Sequence, residues 1–244
     1  MSCLGIAHRG VAAVAPENTL ASFEEALRLG APMIELDVHR MAGGQLVVIH
    51  DDTIDRTTNG KGKVREMTLD QIRAYDAGSW FAPRFAGQRV PTLAEVIDLV
   101  RGRAGLNVEL KTSSRTDPGV EGELIDLLKE EDFLDQVIIS SFDYDALRVV
   151  KDLEPAVRTG VLCVAGTGSA IQLARRIGAD ALHPYFVFAT PWLVARAHRH
   201  GLRVNAWTVD NPVAAAFLIK SGADGIISNT PKVLAMCRNR EVRH

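Results

Sequence analysis

The sequence predicts a parallel α/β protein closed into an eight-fold (β/α)8 TIM barrel, a single domain over residues 1–244 with a small insertion after the third strand. Three observations predict it. Short apolar runs alternate with amphipathic stretches along all 244 residues. Most of these runs are continuously apolar, as strands covered on both faces are. Four of the amphipathic stretches stop at a glycine (Gly30, Gly178, Gly201, Gly222) that leads into the next apolar run; glycine takes the left-handed conformation that ends a helix. A doubly wound open sheet is the competing architecture, but no G-x-G-x-x-G follows any of the strands.

Taken in order, the expected strands begin with Gly5–His8, after which Asn18 or Thr19 caps a helix whose apolar face is Leu20, Phe23 and Leu27. Met33–Val38 follows, then Leu46–His50. The gap between them is too short for a crossover helix, so a tight turn at Gly43-Gly44 and an antiparallel pair are expected. Pairing Arg40 with Gln45 would set Glu35 opposite His50. Residues 52–90 break the alternation and hold one short helix, opened by a Thr68/Gln71 capping box. They read as an insertion over one end of the barrel, since long ordered insertions are commonly functional. A second capping box, Thr92 with Glu95, opens a helix carrying Val96, Leu99 and Val100. Strands at Leu106–Leu110, Val137–Ser141, Thr159–Cys163, Ala181–His183, Arg203–Thr208 and Gly225–Ser228 complete the set, and Asn211-Pro212 opens one more helix.

Composition narrows the function. The formal net charge is −2, and the basic cluster Arg196–His200 lacks interleaved aromatics, so nucleic acid is not the expected partner. No apolar run is long enough to span a membrane, and the first residues lack the pattern of a signal peptide. A cytoplasmic location is therefore the expectation. The three cysteines show no metal or redox spacing. Nothing in the sequence reads out an oligomeric state.

The chemistry stands out against this background. Isolated carboxylates are costly to bury, yet Met33–Val38 carries Glu35 and Asp37, which strand periodicity puts on one face. The same anomaly recurs at Asn107, Glu109 and Lys111. Three converging carboxylates make an all-oxygen site suited to Mg2+ or Ca2+ rather than zinc, without choosing between the two ions. His8 and His50 each end a strand, and imidazole is the side chain suited to move protons near neutral pH. Arg9 and Lys111 supply positive charge for a phosphate or simply balance the acids. Trp207 shares a face with Asn205, as a pocket wall or as core. His39, His198, His200 and His244 read as solvated, and His183 as an outside candidate.

Ala7-His8-Arg9-Gly10, Pro16-Glu17-Asn18-Thr19, Glu35-Leu36-Asp37-Val38, Val48-Ile49-His50-Asp51, Asp55–Gly60, Val108-Glu109-Leu110-Lys111, Trp207-Thr208-Val209 and Gly222–Ile227 resemble, in order, the motifs of the glycerophosphodiester phosphodiesterase family. The resemblance implies a (β/α)8 barrel with an insertion after the third strand. It also implies a divalent ion on Glu35, Asp37 and Glu109, an acid/base pair at His8 and His50, and Arg9 and Lys111 on the phosphate. Glu17 is carried over as a substrate-site residue that could equally position Arg9. The implied reaction splits a small-molecule glycerophosphodiester into glycerol 3-phosphate and an alcohol. A lysophospholipase D acting on longer-chain lipids is the alternative, with Trp80, Phe81 and Phe85 as its apolar entrance. Ala42-Gly43-Gly44 departs from the Lys-Asp-Gly common in the family's turn.

Overall fold

Eight parallel strands that are apolar on both sides can hide both faces only by closing on themselves beneath a layer of helices, and this chain does so. In a computed structural model, which describes residues 3–111, 117–165 and 167–238, strand β1 (Leu4–His8) lies between β2 (Met33–Arg40) and β9 (Gly225–Ser228). From β9 the ring continues through β8 (Arg203–Ala206), β7 (Ala181–Pro184), β6 (Arg158–Cys163), β5 (Val137–Ser141) and β4 (Gly105–Leu110) back to β2. All of these pairings are parallel. Strand β3 (Leu46–Val48) stands outside the ring, antiparallel to β2. The main core fills the space between ring and helices, with Phe23, Leu36, Ile97, Leu106, Leu124, Phe133 and Leu182 fully buried.

The helix ends follow the punctuation of the sequence. Thr19 caps α1 (Leu20–Arg28) by accepting from Ser22 N. Capping boxes open α2 (Leu69–Arg73) at Thr68/Gln71 and α3 (Leu93–Val100) at Thr92/Glu95. Asn211 caps the helix over Pro212–Lys220. No helix among the described residues is long and apolar enough to cross a membrane.

Two local expectations are corrected. Arg40 pairs with Leu46, not Gln45, so the β2–β3 ladder is shifted by one residue and sets Val38 opposite Val48. Strand β3 also ends at Val48, and Ile49 N donates to Asp37 O at 3.0 Å as the chain leaves the ladder. His50 is therefore not opposite Glu35. Strand β8, expected to reach Thr208, stops at Ala206, and Trp207 joins Tyr185 only through an isolated bridge.

The alternation in β3 explains the segment that follows. Leu46 and Val48 face the main core, whereas Val47 and Ile49 face a second one, with Met41, Ile54, Val64, Ile72, Ala77 and Val90. Residues 52–90 thus carry their own small core beside β3 and the carboxyl end of β2. Asp76 holds their second half in shape by accepting from the N–H groups of Ser79 at 2.7 Å, Gly78 at 2.9 Å and Gly87. These bonds, that of Ser79 foremost, keep its carboxyl well below the ordinary value of 3.8. A lowered folded value stabilises the protein above the unfolded one and is lost as pH falls. Asp76→Asn is therefore expected to cost about 1–2 kcal/mol at neutral pH, the gap to the parent closing below about pH 4. Urea melts at pH 7 and pH 3.5 check this; an equal gap at both contradicts it.

Candidate active site

The strand register assembles the centre of the site. In neighbouring parallel strands, residues in register share a face and stand side by side. His8 on β1 is in register with Glu35 on β2, and Asp37 on β2 with Glu109 on β4. All four point into the mouth of the ring at the carboxyl ends of the strands, where barrel enzymes keep their chemistry. One oxygen from each of Glu35, Asp37 and Glu109 lies within 4.8 Å of the others, and all three residues are buried.

Burial and mutual repulsion govern these carboxylates. Burial, reinforced by Asp37, raises Glu35 to about 8 and Glu109 to about 7. Burial opposes ionisation of Asp37 as well, but Arg9 and Lys111 outweigh it and keep that carboxyl low. Lys111 Nζ lies 2.8 Å from Glu109 Oε1 and 3.6 Å from Asp37 Oδ1. Arg9 Nε lies 3.1 Å from Asp37 Oδ2. Two cations thus face three acids, and Asp37 Oδ1 is buried with no hydrogen-bond partner among the described residues. A convergent oxygen set with an orphaned carboxylate oxygen fits a hard divalent cation.

The loop after β1 is bent to bring Arg9 there. Arg9 and Asn18 have positive φ values of 51° and 56°, a conformation that non-glycine residues adopt at a cost. The site holds them in it: Arg9 N donates to Glu35 Oε2 at 3.0 Å, and Asn18 Nδ2 donates to Asp37 Oδ2 at 2.8 Å. Between them Ser22 Oγ accepts from Val11 N at 2.8 Å and donates to Arg9 O at 3.0 Å. Gly10, at φ 85°, passes so close that an added Cβ would sit 2.2 Å from Ser22 Oγ. Gly10→Ala is expected to destabilise the fold by about 2–4 kcal/mol, combining left-handed strain with the clash. A urea melt checks it, and a loss below about 0.5 kcal/mol would contradict the account.

Both histidines are oriented through Nδ1. His8 Nδ1 is 2.7 Å from Asn229 Oδ1, and Asn229 Nδ2 in turn donates to Asp210 Oδ2 at 2.7 Å. His50 Nδ1 is 2.6 Å from Asp51 Oδ1. Each Nδ1 carries the proton in this arrangement, leaving Nε2 as the free nitrogen. His8 Nε2 is 3.8 Å from Glu35 Oε2. Burial lowers both imidazoles, with Arg9 adding to it, while Asp37 acts on both in the opposite sense.

The other sequence candidates fall into place around this centre. Glu17 bridges Arg9 and Arg56, at 2.9 Å and 2.8 Å. Trp207 Nε1 donates to His183 O at 2.6 Å, and its ring packs edge-on against Phe142 and Tyr185. In the 52–90 segment Phe81 packs edge-on against both Trp80 and Phe85. His39, expected in solvent, is instead buried: it continues the face of Glu35 and Asp37, and its Nε2 is 3.1 Å from His50 O. His183 is fully buried against Asn205, its basicity lowered by burial to about 4. His198 is half-exposed and paired with Asp224 at 2.7 Å. His244 lies outside the described residues. Asp51, Arg56, Asn229 and Asp210 hold the site together although the sequence singles out none of them for it, and Asn18, a candidate helix cap in the sequence, donates to Asp37 instead. Asp51, Asp210 and Asn229 follow strands, where polar residues gather in barrels of every function, whereas Asn18 precedes the cap of α1 and Arg56 lies within the 52–90 segment.

Comparison with known proteins bears on the whole chain. The model of the "Glycerophosphoryl diester phosphodiesterase family" matches residues 8–233. A glycerophosphodiester phosphodiesterase of Caldanaerobacter subterraneus subsp. tengcongensis is 44% identical, covering 96% of this chain and 97% of its own. One from Bacillus subtilis is 36% identical, covering 93% and 84%. Among solved structures, a phosphodiesterase of Oleispira antarctica in complex with the product sn-glycerol-3-phosphate superimposes with a TM-score of 0.91 at 30% identity, covering 98% of this chain and 97% of its own. With the family's barrel closed around this cluster and its motifs matched from end to end, the chain is an enzyme that belongs to the glycerophosphoryl diester phosphodiesterase family.

Proposed function

We propose that this enzyme hydrolyses small glycerophosphodiesters to glycerol 3-phosphate and an alcohol, with His8 and His50 as the acid/base pair beside a divalent ion on Glu35, Asp37 and Glu109. The observation that carries the reading is the register pairing of His8 with Glu35 and of Asp37 with Glu109 at one mouth of the ring. Binding alone would not need two proton carriers there. A Mg2+ or Ca2+ ion bound by the three carboxylates would draw charge from the phosphate oxygens and make the phosphorus more electrophilic.

The chain's own residues supply the rest. Arg9 and Lys111 sit where their cationic heads can meet non-bridging phosphate oxygens, with Glu17 holding Arg9 in place. Trp207 and its ring partners wall the mouth on the side of β5, β7 and β8. The free Nε2 of one histidine takes the proton from an attacking hydroxyl, either water or the glycerol 2-hydroxyl, as the new P–O bond forms. The other histidine donates a proton to the headgroup oxygen as its bond to phosphorus breaks. If the 2-hydroxyl attacks, the product of this step is a cyclic phosphate, which water opens by the same two transfers reversed. The supports differ: a carboxylate lies behind His50 and a neutral amide behind His8. Two unlike proton carriers suit two unlike roles.

The test is a headgroup panel. Glycerol 3-phosphate should be released from glycerophosphocholine and glycerophosphoethanolamine faster than lysophosphatidic acid is released from lysophosphatidylcholine. The reverse order would favour the lysophospholipase D alternative. A substrate with hydrogen in place of the glycerol 2-hydroxyl separates the two nucleophiles.

A further inference from the structure

The 52–90 segment reaches into the site through one side chain. Arg56 follows the buried anchor Ile54, and the turn it lies on is closed by Thr58, whose N–H and Oγ1 both bond to Ile54 O, at 3.0 Å and 2.7 Å. From that turn its guanidinium engages two carboxylates at once. Nε and Nη2 grip Asp51 at 2.7 Å and 3.1 Å, and Nη1 and Nη2 grip Glu17 at 2.9 Å and 2.8 Å. In each acid the oxygen that accepts from Arg56 Nη2 also accepts from a residue of the site. Asp51 Oδ1 takes the His50 Nδ1 proton at 2.6 Å, and Glu17 Oε1 takes Arg9 Nη1 at 2.9 Å. One unbroken chain therefore runs from Arg9 through Glu17, Arg56 and Asp51 to His50.

We infer that Arg56 is a positioning residue for the reaction, fixing the orientation of the His50 imidazole through Asp51 while tying it to the Arg9 arm through Glu17. The geometry favours this role over general stabilisation. Arg56 is half-exposed, where a lone surface ion pair contributes little to folding. Its planar fork, however, satisfies two acids in a fixed relation, which no lysine can reproduce. Glu17 retains its own bond to Arg9 when Arg56 is removed, whereas Asp51 loses its only other side-chain partner among the described residues. The consequence falls on His50, and so on turnover more than on substrate binding. This inference rests on His50 being a proton carrier, and the experiment separates the two claims.

The experiment measures kcat and KM on glycerophosphocholine for the intact chain carrying Arg56→Ala, Arg56→Lys, Asp51→Asn, the Asp51→Asn/Arg56→Ala pair, and His50→Ala. Arg56→Ala is expected to lower kcat about 10- to 100-fold, as misplacing a catalytic group does, with KM changed less than about 3-fold. Guanidinium added to Arg56→Ala should recover part of the loss, and Arg56→Lys should fall between it and the parent. In the double variant the two losses should be far from additive, because both pass through His50. Should Arg56→Ala fail to fold, Arg56→Lys combined with Asp51→Asn gives the same cycle. An Arg56→Ala enzyme within 2-fold of the parent, or a fully additive double variant, would overturn the inference while an inactive His50→Ala left the proposed function standing. Normal turnover in His50→Ala would instead overturn the proposed function itself.

Discussion

His8→Ala and His50→Ala should each lower kcat by about 10²- to 10⁴-fold, the range for loss of a positioned acid or base, while KM changes little. Each imidazole is reached by its own relay, Asn229 and Asp210 behind His8, Asp51 behind His50. A change of leaving group distinguishes their roles. A diester that expels 4-nitrophenolate needs no proton on the departing oxygen, so the variant lacking the acid should recover much of its turnover on that substrate. The variant lacking the base should not. For the parent, the proposed acid/base pair requires one neutral and one protonated imidazole, so kcat/KM should be bell-shaped in pH. Near-normal turnover in either variant on an alkyl diester would remove the acid/base assignment.

The second large effect concerns the carboxylates. Asp37→Asn should reduce activity by at least about 10³-fold, more than a single lost donor costs, because Asp37 is the acid that its neighbours keep ionised. Arg9 and Lys111 both lean on it, and Asn18 donates to it. An amide there would leave Arg9 and Lys111 facing Glu35 and Glu109 alone and would remove a ligand from the proposed ion. Excess chelator should abolish parental turnover, and Mg2+ or Ca2+ should restore it. Circular dichroism on the variant guards against a folding defect, and full activity of the parent in excess chelator contradicts the metal proposal.

Much of this site was legible along single strands. Period-two alternation placed Glu35 with Asp37 and Glu109 with Lys111, and the strand ends marked His8 and His50. Alternation reports which face a residue takes, but it does not report register between strands. The Arg40–Gln45 pairing was one residue off because the tight turn at Gly43-Gly44 admits either ladder, and His50 reaches the site by leaving the ladder, not by following it. His39 shows the converse. Its parity with Glu35 and Asp37 already argued for the inward face, but it lies one residue past the last β2–β4 pair, where the chain that follows β3 covers it, with His50 O at 3.1 Å from its Nε2 and Asp52 Oδ1 at 3.8 Å from its Nδ1. The relays were illegible for a different reason. Asn229 stands 221 positions from the histidine it orients, and only ring closure brings the two strand ends together. Arg56 was visible within a motif, but two carboxylates from different loops give it its place.

The most direct test is crystallographic: crystals grown with Mn2+ as an anomalous stand-in and with glycerol 3-phosphate present. One anomalous peak should lie within coordination distance of Glu35, Asp37 and Glu109, with the phosphate between the free nitrogens of His8 and His50 and against Arg9. A peak bound elsewhere, or a phosphate seated at the opposite end of the ring, would contradict the account.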